Sequence, residues 1–104
     1  MQRIAFKMQL RKGFEEEYEK RHDKIWPELQ QLLHKCGISD YSIYLDPSTN
    51  GLFGVLKIVD ATKLDALPAN PVMLKWWAYM KDIMETHADN SPVSIPLKEV
   101  FYLP

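Results

Sequence analysis

Tyr18, His22 and Trp26 stand four residues apart, and Pro27 follows at once. On a helix this spacing lines three side chains along one face. Phe14, Ile25, Leu29 and Leu33 share the stripe, so the face points toward a core. His22 is the one titratable group in the chain set between a phenol and an indole in this way. An imidazole is also the side chain whose ordinary pKa suits giving and taking protons near neutrality. Tyr18 and His22, at i and i+4, are spaced for a hydrogen-bonded acid–base pair. A second aromatic pair, Trp76-Trp77, belongs to another amphipathic pattern. Aromatic faces around one imidazole describe a pocket for a molecule with flat apolar faces and hydroxyl edges, such as a sugar.

Each of these signals has a plainer reading. A lone histidine on an apolar stripe is more often a hydrogen-bonded core or rim residue than a catalyst, and spacing alone does not separate the two. Trp76 and Trp77 are about 100° apart on a helix, so one is expected in the core and the other at a pocket. Met73, Met80 and Met84 read as core filler. Glu15-Glu16-Glu17 reads as a solvated helix start. Tyr41 and Tyr44 fall on opposite faces of a strand, so at most one shares a pocket with His22. There is no glycine-rich phosphate loop, no GxSxG elbow, and no CxxC or HExxH spacing, so no metal site is expected.

The elements that must carry these residues follow from local pattern. Ile4, Phe6, Met8 and Leu10 alternate with polar neighbours as a strand ended by Gly13. A helix from Phe14 runs to about Asp23. Pro27 disfavours helix at Trp26 and starts a second helix, which continues to Cys36 with Gly37 as its cap. The break sets His22 and Trp26 at a helix end, where side chains reach a cleft. Tyr41 to Leu45 reads as a strand, residues 46–51 as a turn, and Leu52 to Val59 as a strand buried on both faces. Gly51 and Gly54 are expected to loosen this hairpin. Asp60-Ala61-Thr62 opens a short helix that Pro68 stops. Asn70-Pro71 caps and starts the helix bearing Trp76-Trp77. Leu97, Glu99, Phe101 and Leu103 alternate as a final strand.

The order β-α-β-β-α-β suits one α+β domain, residues 1–104, with a ferredoxin-like antiparallel sheet and helices on one face. The other face, carrying Phe, Val and Tyr, then needs a cover. A second copy is the simplest one, giving a C2 homodimer with sheets face to face.

With a net charge of −1 there is no basic field for a nucleic acid or an anionic membrane. One cysteine, Cys36, allows no internal disulfide. No apolar run approaches the ~20 residues of a membrane helix, and the first residues do not read as a secretory leader. A cytoplasmic protein is expected.

Five stretches read together: residues 17–29 around Arg21-His22-x-x-Ile25-Trp26-Pro27-Glu28-Leu29, Tyr41-Ser42-Ile43-Tyr44-Leu45-Asp46, Lys75-Trp76-Trp77-Ala78-Tyr79-Met80, Asp89-Asn90-Ser91-Pro92-Val93, and Glu99 to Pro104. Together they resemble the L-rhamnose mutarotase family over essentially the whole chain. A departure is Thr86-His87-Ala88, where the family pattern leads one to expect Asn-Pro. The resemblance implies a dimeric α+β barrel and metal-independent interconversion of the α and β anomers of L-rhamnopyranose. It further implies His22 as catalytic proton donor and Tyr18, Tyr41, Trp76 and Trp77 as substrate-binding residues.

Such a reaction opens the pyranose to an aldehyde, lets C1 turn, and recloses the ring. A proton must reach the ring oxygen and another must leave the C1 hydroxyl. His22 suits the acid at the ring oxygen. For the base, Tyr18 and a bound water stay open. No cofactor is required. Two other readings remain: a non-enzymatic sugar-binding module, and a cofactor-independent monooxygenase-like or haem-handling enzyme of the same barrel class.

Overall fold

A computed structural model describes all 104 residues. The chain forms β1 (Gln2–Gln9), α1 (Glu15–Asp23), α2 (Pro27–Lys35), β2 (Ile38–Asp46), β3 (Gly51–Ile58), a 3-10 segment (Ala61–Ala69), α3 (Pro71–Met80) and β4 (Ile95–Leu97). The strands form one antiparallel sheet in the order β2-β3-β1-β4, the split β-α-β arrangement expected from the element order.

The register shows how the alternation in β1 builds a core. Ile4, Phe6 and Met8 lie opposite Leu56, Gly54 and Leu52, and all face the helices. Leu10, Leu29, Met73, Met80, Ile83 and Met84 close the layer between sheet and helices. The helix break falls where Pro27 puts it. Trp26 is extended (φ −63°, ψ 132°) and Pro27 is the first residue of α2. Gly37, at φ +84°, turns the chain out of α2 into β2. Asn70 caps α3, its side chain accepting from the Val72 N–H at 2.9 Å, a contact worth about 1 kcal/mol.

Several expectations needed correction. The 3-10 segment runs through Pro68 to Ala69 rather than stopping at it. β2 begins earlier, at Ile38, and is bulged between Ser39 and Ser42, with Asp40 at φ +49°. β3 is not buried on both faces. Leu52, Leu56 and Ile58 point into the core, but Val55 on the other face is 39 % exposed, because helices cover one side only. The final strand is three residues long and ends at Leu97. Beyond it the chain forms no ladder with the Gln2–Ile4 end of β1; Arg3 instead pairs with Glu99 at 2.6 Å and lies over the Tyr102 ring, and Val100, Phe101 and Leu103 lie 78–88 % exposed. The glycine at 54 does not loosen the hairpin. The ring of Phe6 lies across its bare backbone, so close that a β-carbon there would sit 2.4 Å from Cζ. No helix is long and apolar enough to cross a membrane.

Candidate active site

Tyr18, His22, Tyr41, Trp76 and Trp77 all line one cavity of about 800 Å³ between the sheet and the helices. Tyr18 and His22 come from α1, Tyr41 from the bulged part of β2, and the tryptophans from α3. Trp76 is buried and Trp77 half-buried, and both reach the cavity. Tyr41 faces inward while Tyr44 stands on the open sheet face. Trp26 does not line the cavity. It backs Trp76 edge to face, with ring centres 5.1 Å apart. Phe14 is on the surface rather than in the core.

The Tyr18–His22 pair differs from the side-chain hydrogen bond that its spacing allows. His22 Nδ1 is 3.0 Å from the backbone carbonyl of Tyr18, and the two rings lie against each other with centres 4.3 Å apart. A carbonyl can only accept, so Nδ1 carries a proton and donates it. That leaves Nε2 as the nitrogen available for chemistry. Trp76 meets the imidazole edge to face at 5.5 Å.

Burial sets the electrostatics. Desolvation holds the His22 pKa below its ordinary 6.5, against the opposing effects of the Tyr18 carbonyl and Asp23. It raises the Tyr18 phenol well above the ordinary range, with the nearby Tyr41 hydroxyl adding to the effect. Tyr41 is 38 % exposed as a residue, yet its hydroxyl end is desolvated and its pKa is pushed up to about 12. Both phenols therefore stay neutral and able to donate throughout the physiological range.

The loop after α3 closes one end. Thr86 pairs with Pro92, and the His87 N–H donates to the Ser91 carbonyl at 2.8 Å. Asn90 sits at φ +71°. Thr86, Asn90 and Pro92 thereby join the five residues around a narrow recess of the cavity. In the sequence Thr86 stands out only as part of the departure at Thr86-His87-Ala88; the fold brings it to the recess that His22 also lines. No group of three or more His, Cys, Asp or Glu side chains is placed to hold a metal ion.

An imidazole with one free nitrogen, two neutral phenols and two indoles in one apolar cavity suit proton transfer on a small, hydroxyl-bearing ring. Comparison with known proteins agrees. The profile of the L-rhamnose mutarotase family matches residues 3–103. The L-rhamnose mutarotase of Jannaschia sp. is 59 % identical over 104 residues, covering 100 % of both chains. That of Brucella anthropi is 59 % identical over 103 residues, 99 % of this chain and 97 % of its own. The crystal structure of an L-rhamnose mutarotase from Formosa agariphila superposes with a TM-score of 0.94 at 50 % identity, covering 100 % of both chains. The chain belongs to the L-rhamnose mutarotase family.

Proposed function

We infer that this protein is an isomerase that interconverts the α and β anomers of L-rhamnopyranose. The observation that carries the reading beyond family membership is the His22 imidazole, with Nδ1 committed to a carbonyl, at a narrow recess walled by neutral phenols and indoles.

During anomer exchange O1 swings to a new position, while the ring oxygen stays with the body of the sugar. One fixed group can therefore serve the ring oxygen in both halves of the reaction. We assign His22 Nε2 to it. The protonated imidazole gives its proton to the ring oxygen as the C1–O bond breaks, and takes it back as the ring closes on the other face of C1. The ring oxygen has lone pairs only, so it hydrogen-bonds the protonated imidazole and not the neutral one. Substrate binding thus draws a proton onto a group that burial otherwise keeps neutral. The lowered pKa also makes the imidazolium a stronger acid.

The O1 proton needs an acceptor as well. A phenol oxygen that accepts must pass its own proton on, so Tyr18 or Tyr41 acts there as a relay or a positioning donor, and a water molecule takes the O1 proton as the ring opens and returns one to O1 as it closes. Trp76 and Trp77 offer flat apolar surface to the ring face and methyl group of a 6-deoxy sugar.

A second copy of the chain is the cover we propose for the open sheet face, where Tyr44, Val55, Ile95 and Leu97 are exposed. After Leu97, Val100, Phe101 and Leu103 are exposed as well. One free cysteine suits a reducing, cytoplasmic setting.

The test is saturation-transfer NMR between the α and β H1 signals of L-rhamnose. Wild-type protein should accelerate exchange. His22→Ala should lose about 10²–10⁴-fold, the usual worth of a placed acid or base, while tryptophan fluorescence still reports sugar binding. Trp76→Ala should weaken binding more than it disturbs the fold. kcat/KM should fall as pH rises through a pKa below 6.5. A rise instead would move His22 to the base at O1. Binding without faster exchange would leave a sugar-binding module.

A further inference from the structure

α1 bears both Tyr18 and His22, yet it is poorly anchored by packing. Of its nine residues only Tyr18 is buried, and no side chain caps its start. A helix of this length is marginal on its own. Its first residue, Glu15, accepts from the buried Asn50 side chain at 2.8 Å. Its other end is held by Arg21, the neighbour of His22.

The Arg21 side chain is only 11 % exposed. Nη1 donates to the Tyr79 carbonyl at 2.7 Å, and Nη1 and Nη2 together grip both oxygens of Asp82 at 2.9 and 3.2 Å. Nε donates to Glu17 at 3.1 Å, one turn back on α1. The guanidinium also lies over the Tyr79 ring, 4.5 Å from its centre. The Tyr79 carbonyl is one of the last of α3, which have no partner within their own helix, and α3 has no basic residue in its last turn. Arg21 supplies both the donor and the positive charge there. The same Tyr79 ring packs against Trp76 at 5.7 Å and Trp26 at 5.5 Å.

We propose that Arg21 is a positioning residue for anomer exchange, a fork that locks the helix carrying His22 to the helix carrying Trp76 and Trp77. Residues 21 and 22 point about 100° apart. One thus crosses to α3 while the other enters the cavity. Without the fork, the end of α1 meets α3 through apolar packing and the edge-to-face contact of His22 with Trp76, and no hydrogen bond sets the distance between the imidazole and the indole wall. The proposal rests on His22 and Trp76 acting as described under Proposed function.

The experiment uses the full chain with Arg21→Met, Arg21→Lys and Asp82→Asn. Saturation transfer gives kcat and KM, and NMR of the imidazole Hε1 gives the His22 titration. Arg21→Met should lose about tenfold or more in kcat, the scale on which sub-ångström to ångström misplacement acts, with a smaller change in KM. Its His22 pKa should climb toward 6.5 as water reaches the ring. Arg21→Lys should fall between Arg21→Met and wild type, since an ammonium cannot make the two-oxygen grip. Asp82→Asn removes one partner at the exposed end and should shift both readouts the same way by less. It carries the test if Arg21→Met does not fold. A folded Arg21→Met, or failing that Asp82→Asn, with a lower melting temperature but unchanged kcat and an unmoved His22 titration overturns the proposal. Absence of exchange by the wild type would instead overturn the assigned reaction, and the His22 titration would still read the positioning separately.

Discussion

Gly54→Ala isolates one contact on which the cavity wall depends. A β-carbon at position 54 would meet the Phe6 ring at 2.4 Å from Cζ, 2.6 Å from Cε2 and 2.9 Å from Cε1. All three atoms are at the far end of the ring, opposite Gly54 in the β1–β3 register. Ordinary contact begins near 3.4 Å, so the ring must retreat by about 1 Å. Its neighbour is Tyr41, edge-on with ring centres 6.1 Å apart, and both rings line the cavity. Overpacking of this kind costs about 1–3 kcal/mol, and each kcal/mol lowers the melting temperature of a domain this size by about 4–8 °C. The displaced ring should disturb Tyr41 and raise KM several-fold, with a smaller effect on kcat because His22 is untouched. Scanning calorimetry and saturation transfer on Gly54→Ala, Phe6→Leu and the double variant complete a cycle. The double variant should recover stability relative to Gly54→Ala, since a shorter side chain leaves room for the methyl. A Gly54→Ala protein that melts with the wild type and keeps its KM, or a double variant with no recovery, would refute the reasoning.

Other outcomes follow from the same geometry. His22 is buried with a folded-state pKa below its unfolded 6.5, so the unfolded chain binds more protons between those two values and stability rises with pH there. The melting temperature should therefore drop as pH falls below 6.5, and His22→Gln should flatten that segment. Loss from the depressed carboxylates begins lower, near 4.5 for Glu15 and near 3.8 for Asp46, Asp60, Asp82 and Asp89, so the two windows separate in a pH series of melts. Tyr41→Phe removes a desolvated hydroxyl and should fold normally while raising KM about fivefold, the worth of one hydrogen bond of about 1 kcal/mol. Analytical ultracentrifugation should find a dimer, and removal of residues 98–104 should shift it toward monomer; a tight dimer of the truncated chain would sever the tail from the interface.

Much of the scaffold was legible in the sequence because it rests on local rules. Pro27 dictates the break between α1 and α2, Asn70-Pro71 starts α3, and alternation in β1 orients its core face. The five candidate site residues were legible because two of them share a helix stripe, two are adjacent, and family resemblance supplied Tyr41. What stayed hidden was tertiary. Alternation from Leu97 to Leu103 has strand character but does not name a partner, and within this chain only Ile95 to Leu97 find one. The i, i+4 spacing of Tyr18 and His22 cannot tell a side-chain oxygen from the backbone carbonyl that His22 in fact bonds. Arg21 pairs with Glu17 by sequence rule, but its grip on Asp82, 61 residues away, exists only once α1 and α3 meet.

β1 lies inside the finished sheet and is made before either of its neighbours. β1 ends at Gln9, its partner β3 begins at Gly51, and β4 on its other side comes only at Ile95. A ribosome adding about 5–20 residues per second leaves β1 without its first neighbour for roughly 2–8 seconds, and without its second for longer still. Throughout that interval Ile4, Phe6 and Met8 sit on a strand with both edges bare. The vulnerable period of this protein thus belongs to its synthesis, and substitutions that slow the appearance of β3 should reduce the yield of soluble chain even where the completed fold tolerates them.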